Sequence, residues 1–201
     1  MKKTEAKIAI LIFFTSINIA YAQFDVNNTL YSTSALNIGN YIGIDADLNY
    51  IFNEKYSIEI GDTGNIRVPR SKPEDYTSGV VGILLFGLIN PYDQLQNFQI
   101  GIGKLYNLNP NGTIRANVSI GIGYTIITEP ENWESVNNGF LGENYTWNYN
   151  EHHTVSFTIN PKIEFPITWL YGFVISPMIQ ISQQRIYFGI GLGQMIGLLR
   201  R

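Results

Sequence analysis

Glu151, His152, His153, Thr154 and Ser156 bring an acid, two imidazoles and two hydroxyls into one short stretch, the closest grouping of that kind in the chain. In a nucleophilic relay an imidazole takes the hydroxyl proton while a carboxylate orients the imidazole. Ser156 would be the nucleophile, His152 or His153 the base, and Glu164 or Glu151 the orienting acid. The surrounding pattern is that of a strand, however, and it separates the players. Ser156 and His152 share a face but stand roughly 13 Å apart along it, and His153 points the other way. Adjacent histidines that diverge do not make a metal pair either. We therefore assign no catalytic residue and expect no enzyme, metal or cofactor; a catalytic reading would rest on His152, Ser156 and Glu164. The plainer reading is polar residues at the junction of a loop and a strand.

A second set of chemistry-bearing residues emerges from alternation. From Leu36 to Phe52 the even positions are apolar apart from Asn40, and the odd ones are mostly polar or glycine, with Asp45 and Asp47 among them. Continued along the chain, the same pattern puts Asp45, Asp47, Glu59, Arg67, Arg115, Lys162 and Glu164 on the wet faces of strands. Four carboxylates face three cations, a near match. In a narrow barrel such charges form a salt-bridged plug, and in a wider one a charged constriction that selects ions. The Gly-Ile-Gly runs at 101–103, 121–123 and 189–191 are not phosphate loops, since no helix follows them. Inward glycines instead make room for bulky inward residues such as Tyr41, Tyr187 or Arg115.

The elements that hold these residues are strands. The periodicity predicts strands over 36–52, 56–67, 79–90, 98–106, 113–126, 145–165, 173–182 and 186–198. Asn53-Glu54-Lys55 and Asn109-Pro110-Asn111-Gly112 are turns, and 69–78 is a loop. Lys104 falls on an apolar face beside Tyr106 and must snorkel toward a rim. The segment 128–153 reads as a long outer loop, with Trp133, Phe140, Tyr145, Trp147 and Tyr149 as its recognition surface. The parity of Tyr145, Trp147 and Tyr149 matches Val155 and Phe157, so one long strand can begin inside that loop.

Lys2, Lys3 and Lys7 precede an apolar stretch from Ile8 to Ala20, and Ala20-Tyr21-Ala22 supplies small residues for cleavage before Gln23. Residues 1–22 are thus expected to be a secretory signal peptide and 23–201 a single domain. The chain has no cysteine, 14% charged residues, 13% aromatic residues and a formal charge of −3, with no basic run to suggest nucleic acid. No stretch after the leader is long enough for a transmembrane helix, so a membrane must be met by a closed barrel.

Leader and alternating hairpins together resemble the small outer-membrane β-barrel proteins of Gram-negative envelopes, over nearly all of the mature chain. The resemblance implies an all-β, antiparallel transmembrane barrel of eight strands in the cell outer membrane. Ten strands are the alternative, adding segments near 24–34 and 139–150. With these eight strands and both ends in the periplasm, the tight turn at 53–55 would lie outside and the 69–78 loop inside, the reverse of the family's habit. The family's usual terminal aromatic is replaced by Leu198-Leu199-Arg200-Arg201. Partners implied are outer-membrane lipid, the outer-membrane assembly machinery and an unknown surface partner. The function expected is a non-enzymatic structural or surface-binding envelope protein. The alternatives are a narrow porin-like pore, a lipid A-modifying barrel enzyme (an activity some such barrels have), and a soluble lipocalin-like binder with its apolar faces turned inward.

Overall fold

The computed structural model describes residues 28–85, 90–138 and 140–199; the leader read at 1–22 and the final Arg200 and Arg201 lie outside them. Eight antiparallel strands close on themselves in chain order: β1 (Thr29–Gly39), β2 (Ile42–Phe52), β3 (Tyr56–Arg67), β4 (Asp93–Asn107), β5 (Arg115–Ser135), β6 (Tyr145–Pro166), β7 (Tyr171–Ser182) and β8 (Ile186–Gly197). One short helix, α1 (Gly79–Leu84), sits between β3 and β4. Closure is made by β8 on β1, from Tyr31 opposite Gly197 to Gly39 opposite Gly189.

The total of eight agrees with the periodicity, but two of the segments do not. The run 36–52 is not one strand. It breaks at Asn40-Tyr41 into β1 and β2, and Ile38 pairs with Ile42. Partners across this turn have the same parity, so the alternation runs through it undisturbed. Asn40 replaces the missing ladder by bonding to β8, donating from its side chain to the Ile186 carbonyl at 2.8 Å and accepting from the Phe188 N–H at 3.1 Å. Conversely, 79–90 is not a strand, because Gly79–Leu84 is helical. Apolar residues on both faces fit either element, and periodicity cannot separate them. No tenth strand forms among the described residues: Thr29–Leu30 belong to β1, and Tyr145–Asn150 to β6.

This connectivity also repairs the reversed polarity. The start of β1 and the end of β8 share one end of the barrel with the tight connections 53–55, 108–114 and 167–170, hereafter the terminus end. At the first of these, Asn53 and Glu54 both have φ of 53°, the two-residue hairpin geometry whose twist matches the strands. The longer segments 68–92 and 136–144, with the short turns at 40–41 and 183–185, lie at the opposite, loop end.

The pleat decides what faces where. Leu36, Ile38, Ile44, Ile60, Ile100, Ile122, Phe188 and Leu192 point outward and are exposed, while Asp45, Asn49, Glu59, Thr63, Asn97 and Lys162 are buried within. The apolar faces therefore point out, which overturns the lipocalin-like arrangement. Outward apolar residues on β5 extend from Ala116 to Ile126, about 34 Å of strand and about 25 Å of height at a ~40° tilt, the height of a bilayer's apolar band. Aromatic pairs mark the terminus end. Phe52 stacks on Tyr56 at 5.4 Å, and Tyr171 meets Phe173 edge-on at 5.3 Å. Lys104 lies over Tyr106 at 4.8 Å at the same rim.

Candidate functional site

The seven charged residues selected by alternation are brought into the lumen, but as separate groups. At mid-height Lys162 reaches across from β6 and donates to Asp47 Oδ2 at 2.7 Å and Glu59 Oε2 at 2.9 Å. Ser119 adds a hydrogen bond to Glu59, and Thr33 one to Asp47. Nearer the terminus end Arg115 grips Glu164 Oε2 through Nε at 3.0 Å and Nη2 at 2.6 Å, while its Nη1 donates to the Leu199 carbonyl at 2.6 Å. The Tyr31 hydroxyl donates to the other Glu164 oxygen at 2.5 Å. At the loop end Arg67 pairs with Asp93 at 2.7 Å and lies over the Tyr41 ring at 4.5 Å. Asp45 is buried with no cation at salt-bridge distance among the described residues.

Two apolar layers bracket the Lys162–Asp47–Glu59 group. Tyr31, Ile51, Leu105, Val174, Met195 and Leu199 pack together at the terminus end, and Tyr41, Leu95, Met178 and Tyr187 at the loop end. A buried ion pair needs its remaining lone pairs satisfied and water kept out, and the bracketing does the second. Asp93, Tyr31 and Leu199 fall outside the predicted strands, which begin at Leu36 and Phe98 and end at Leu198. The signal was present: Asp93, Leu95, Asn97 and Gln99 share one parity.

Several inward glycines are seats for polar side chains. A Cβ on Gly61 would stand 1.9 Å from Asp47 Oδ1, and one on Gly123 2.3 Å from Asn97 Oδ1. Only at Gly189, against the Tyr187 hydroxyl at 2.4 Å, is the neighbour one of the bulky residues expected. Asn97 is a hub, accepting from Thr125 at 2.8 Å and Ser156 at 2.9 Å.

That last bond bears on the catalytic grouping. The Ser156 hydroxyl is directed to an amide oxygen, with no imidazole beside it. Glu164 lies about 27 Å further along the same strand and is bound to Arg115 and Tyr31. His153 is on the outer face, stacked on Tyr124 at 5.6 Å and paired with Glu151 at 2.8 Å. His152 contacts Asn150 at 3.3 Å. The structure does not bring the acid, base and hydroxyl together.

The segment 128–153 is mostly strand. β5 and β6 continue past the apolar band as a two-stranded tower joined by the turn at 136–144, with a bulge between Glu131 and Glu134 where Asn132 has φ of 54°. The bulge turns Trp133 to the face carrying Trp147, and their rings lie 5.4 Å apart. Residues 71–77 of the β3–β4 connection fold over this face. Tyr76 sets its ring 5.8 Å from Trp133 and 6.2 Å from Trp147, and Trp133 Nε1 donates to Ser71. Tyr145 donates to Asp75 at 2.9 Å. Burial, and then the Glu143 carboxylate, push the Tyr76 phenol up to about 12. Three of the five aromatic residues expected on an open recognition surface, Trp133, Tyr145 and Trp147, thus serve as the support for an overlying loop. Phe140 and Tyr149 remain exposed.

No family model matches the chain, and no curated protein sequence does. Among solved structures, the N-terminal β-barrel domain of Pseudomonas aeruginosa OprF superposes with a TM-score of 0.52 at 13% identity, covering 85% of this chain and 97% of that one. Ail, the attachment invasion locus protein of Yersinia pestis, follows with 0.49 at 8% identity over 85% and 96%. The likeness is one of fold: the chain has the architecture of the small outer-membrane β-barrels.

Proposed function

We propose that the protein is a non-enzymatic barrel of the bacterial outer membrane, structural in its walls and surface-binding at its loop end. On this reading residues 1–22 are removed on export, the assembly machinery inserts 23–201, the terminus end faces the periplasm, and the loop end faces outward. The carrying observation is the lumen: a Lys162–Asp47–Glu59 bridge between two apolar layers, with Asn97 and its neighbours filling the wall. A path for ions would have to cross both layers. That supports a plug over a pore and leaves the loop end as the part able to meet another molecule. The separation of Ser156, His152 and Glu164 supports a non-enzymatic role.

The test takes one sample of detergent-folded protein. It should migrate differently in a gel before and after boiling, and it should add no steady conductance to a planar bilayer. A stable conductance lost on neutralising Arg115 and Glu59 would replace the plug by a pore. Extraction of the protein from membranes without detergent would overturn the barrel in lipid. Altered lipid A acylation on expression, abolished by Ser156→Ala, would make it an enzyme.

A further inference from the structure

The tower ends in an apolar surface that the bilayer cannot cover. Tyr145 lies eight residues beyond His153 on β6, about 27 Å of strand and about 20 Å of height above the apolar band. At that level α1 is pinned to the turn of the tower by backbone bonds, Val80 N–H to the Phe140 carbonyl at 3.1 Å and Val81 N–H to the Leu141 carbonyl at 3.2 Å. Ile83, Leu84 and Phe140 stand 74%, 70% and 77% exposed, with Val81 and Leu141 beside them. Two backbone bonds join the segments that carry these side chains, above the Tyr76–Trp133–Trp147 contacts. An apolar patch held in water, well clear of the lipid, marks an interaction site.

Charge states the partner's chemistry. From residue 116 to 161 the chain carries Glu129, Glu131, Glu134, Glu143 and Glu151 and no lysine or arginine. Glu129 is paired with Arg185. Glu134 and Glu143 flank the turn, and Asp75 lies beside them through its bond to Tyr145. The overlying connection adds Arg70, Lys72, Glu74 and Asp75, two of each sign. The tip therefore presents apolar side chains within a negative field, which attracts a cation-bearing apolar surface and repels an anionic one.

Resting on the surface-binding reading above, we propose that the α1–Phe140 tip is a docking site for a basic amphipathic polypeptide, whose apolar side chains seat on Ile83, Leu84 and Phe140 while its cations meet Glu134, Glu143 and Asp75. The test uses the full barrel in phosphocholine nanodiscs, with empty nanodiscs as blank. The probes are synthetic helical peptides: leucine–lysine, leucine–glutamate and lysine alone. The leucine–lysine peptide should bind saturably and the other two at least about tenfold more weakly, since anchor and charge act together. The double variant Leu84→Ser/Phe140→Ser should lose about tenfold in affinity. Glu134→Gln/Glu143→Gln should lose several-fold and flatten the salt dependence. Leu84, Phe140 and Glu134 are exposed and Glu143 is half-buried, and heat-modifiable migration reports that each variant is folded. Equal binding by wild type and both variants overturns the site. So does preference for the leucine–glutamate peptide, or self-association of the barrel through Leu84 and Phe140 without peptide binding. Calcium-dependent binding of lipopolysaccharide in place of the peptide, lost in the same variants, overturns the partner. A chain that fails to fold into lipid defeats the barrel reading instead, and gel migration separates the two.

Discussion

Within the lumen, single atoms carry large consequences. Gly61 and Gly64 stand three residues apart on β3 and face opposite ways: a Cβ on Gly61 meets Asp47 Oδ1, and one on Gly64 meets nothing within 4 Å. Gly61→Ala should push the Asp47 carboxylate off Lys162 and lower the urea midpoint of the folded barrel, whereas Gly64→Ala should leave it unchanged. Lys162→Met should cost about 3–5 kcal/mol, because it strands two buried carboxylates. Adding Asp47→Asn and Glu59→Gln should recover most of that loss, as a cycle of unfolding free energies would show. Alternation from Leu36 onward places these residues on one wall but cannot say which cation serves which acid. Lys162 and Asp47 are 115 residues apart, and only the register of the closed ring sets them opposite.

Among the elements, the tower and its overlying connection form a unit distinct from the barrel wall. Burial raises the Glu143 carboxyl above its ordinary value. Below the unfolded carboxyl range the group is neutral in both states and the closed loop is unpenalised. As pH rises through the raised folded value, ionisation in the half-buried site opposes closure. Hydrogen exchange at the Val80 and Val81 amides, corrected for intrinsic rate, should therefore be slowest below the ordinary carboxyl range, quicken as pH rises from there through the raised value, and level off beyond it. Glu143→Gln should remove the change, and the exchange of β1–β8 should not follow it. The sequence carried half of this unit. The parity of Tyr145, Trp147 and Tyr149 announces a strand entering the loop, but the bulge at Asn132 breaks parity on β5. The apolar run after Gly79 has no period to tell helix from strand. The turn at Asn40-Tyr41 was hidden for the opposite reason, a parity that passes through it intact.

For the whole molecule, the topology makes a claim about sides. The connections 108–114 and 167–170 share an end with the start of β1 and the end of β8, and Phe140 is at the other. Because the chain has no cysteine, single replacements give clean labels. On intact cells a membrane-impermeant maleimide should react with Phe140→Cys and spare Asn111→Cys; after lysis both should react. Labelling of Asn111→Cys alone on intact cells would invert the barrel.

The joint between β8 and β1 sets a condition on how such a chain enters a membrane. Its partners, Tyr31 and Gly197 at one limit, are as far apart along the chain as any two strands can be. Until they meet, each offers a row of bare N–H and C=O groups that hydrocarbon cannot satisfy. No half-finished intermediate can therefore rest in lipid on its own. Five glycines, Gly39, Gly189, Gly191, Gly193 and Gly197, lie along this joint, and a Cβ on Gly193 would stand 2.1 Å from the Ser34 carbonyl oxygen. At these five positions the last edges to meet can approach backbone to backbone with no side chain between them. Insertion of such a chain should therefore coincide with ring closure, the first strand being the last to find its neighbour.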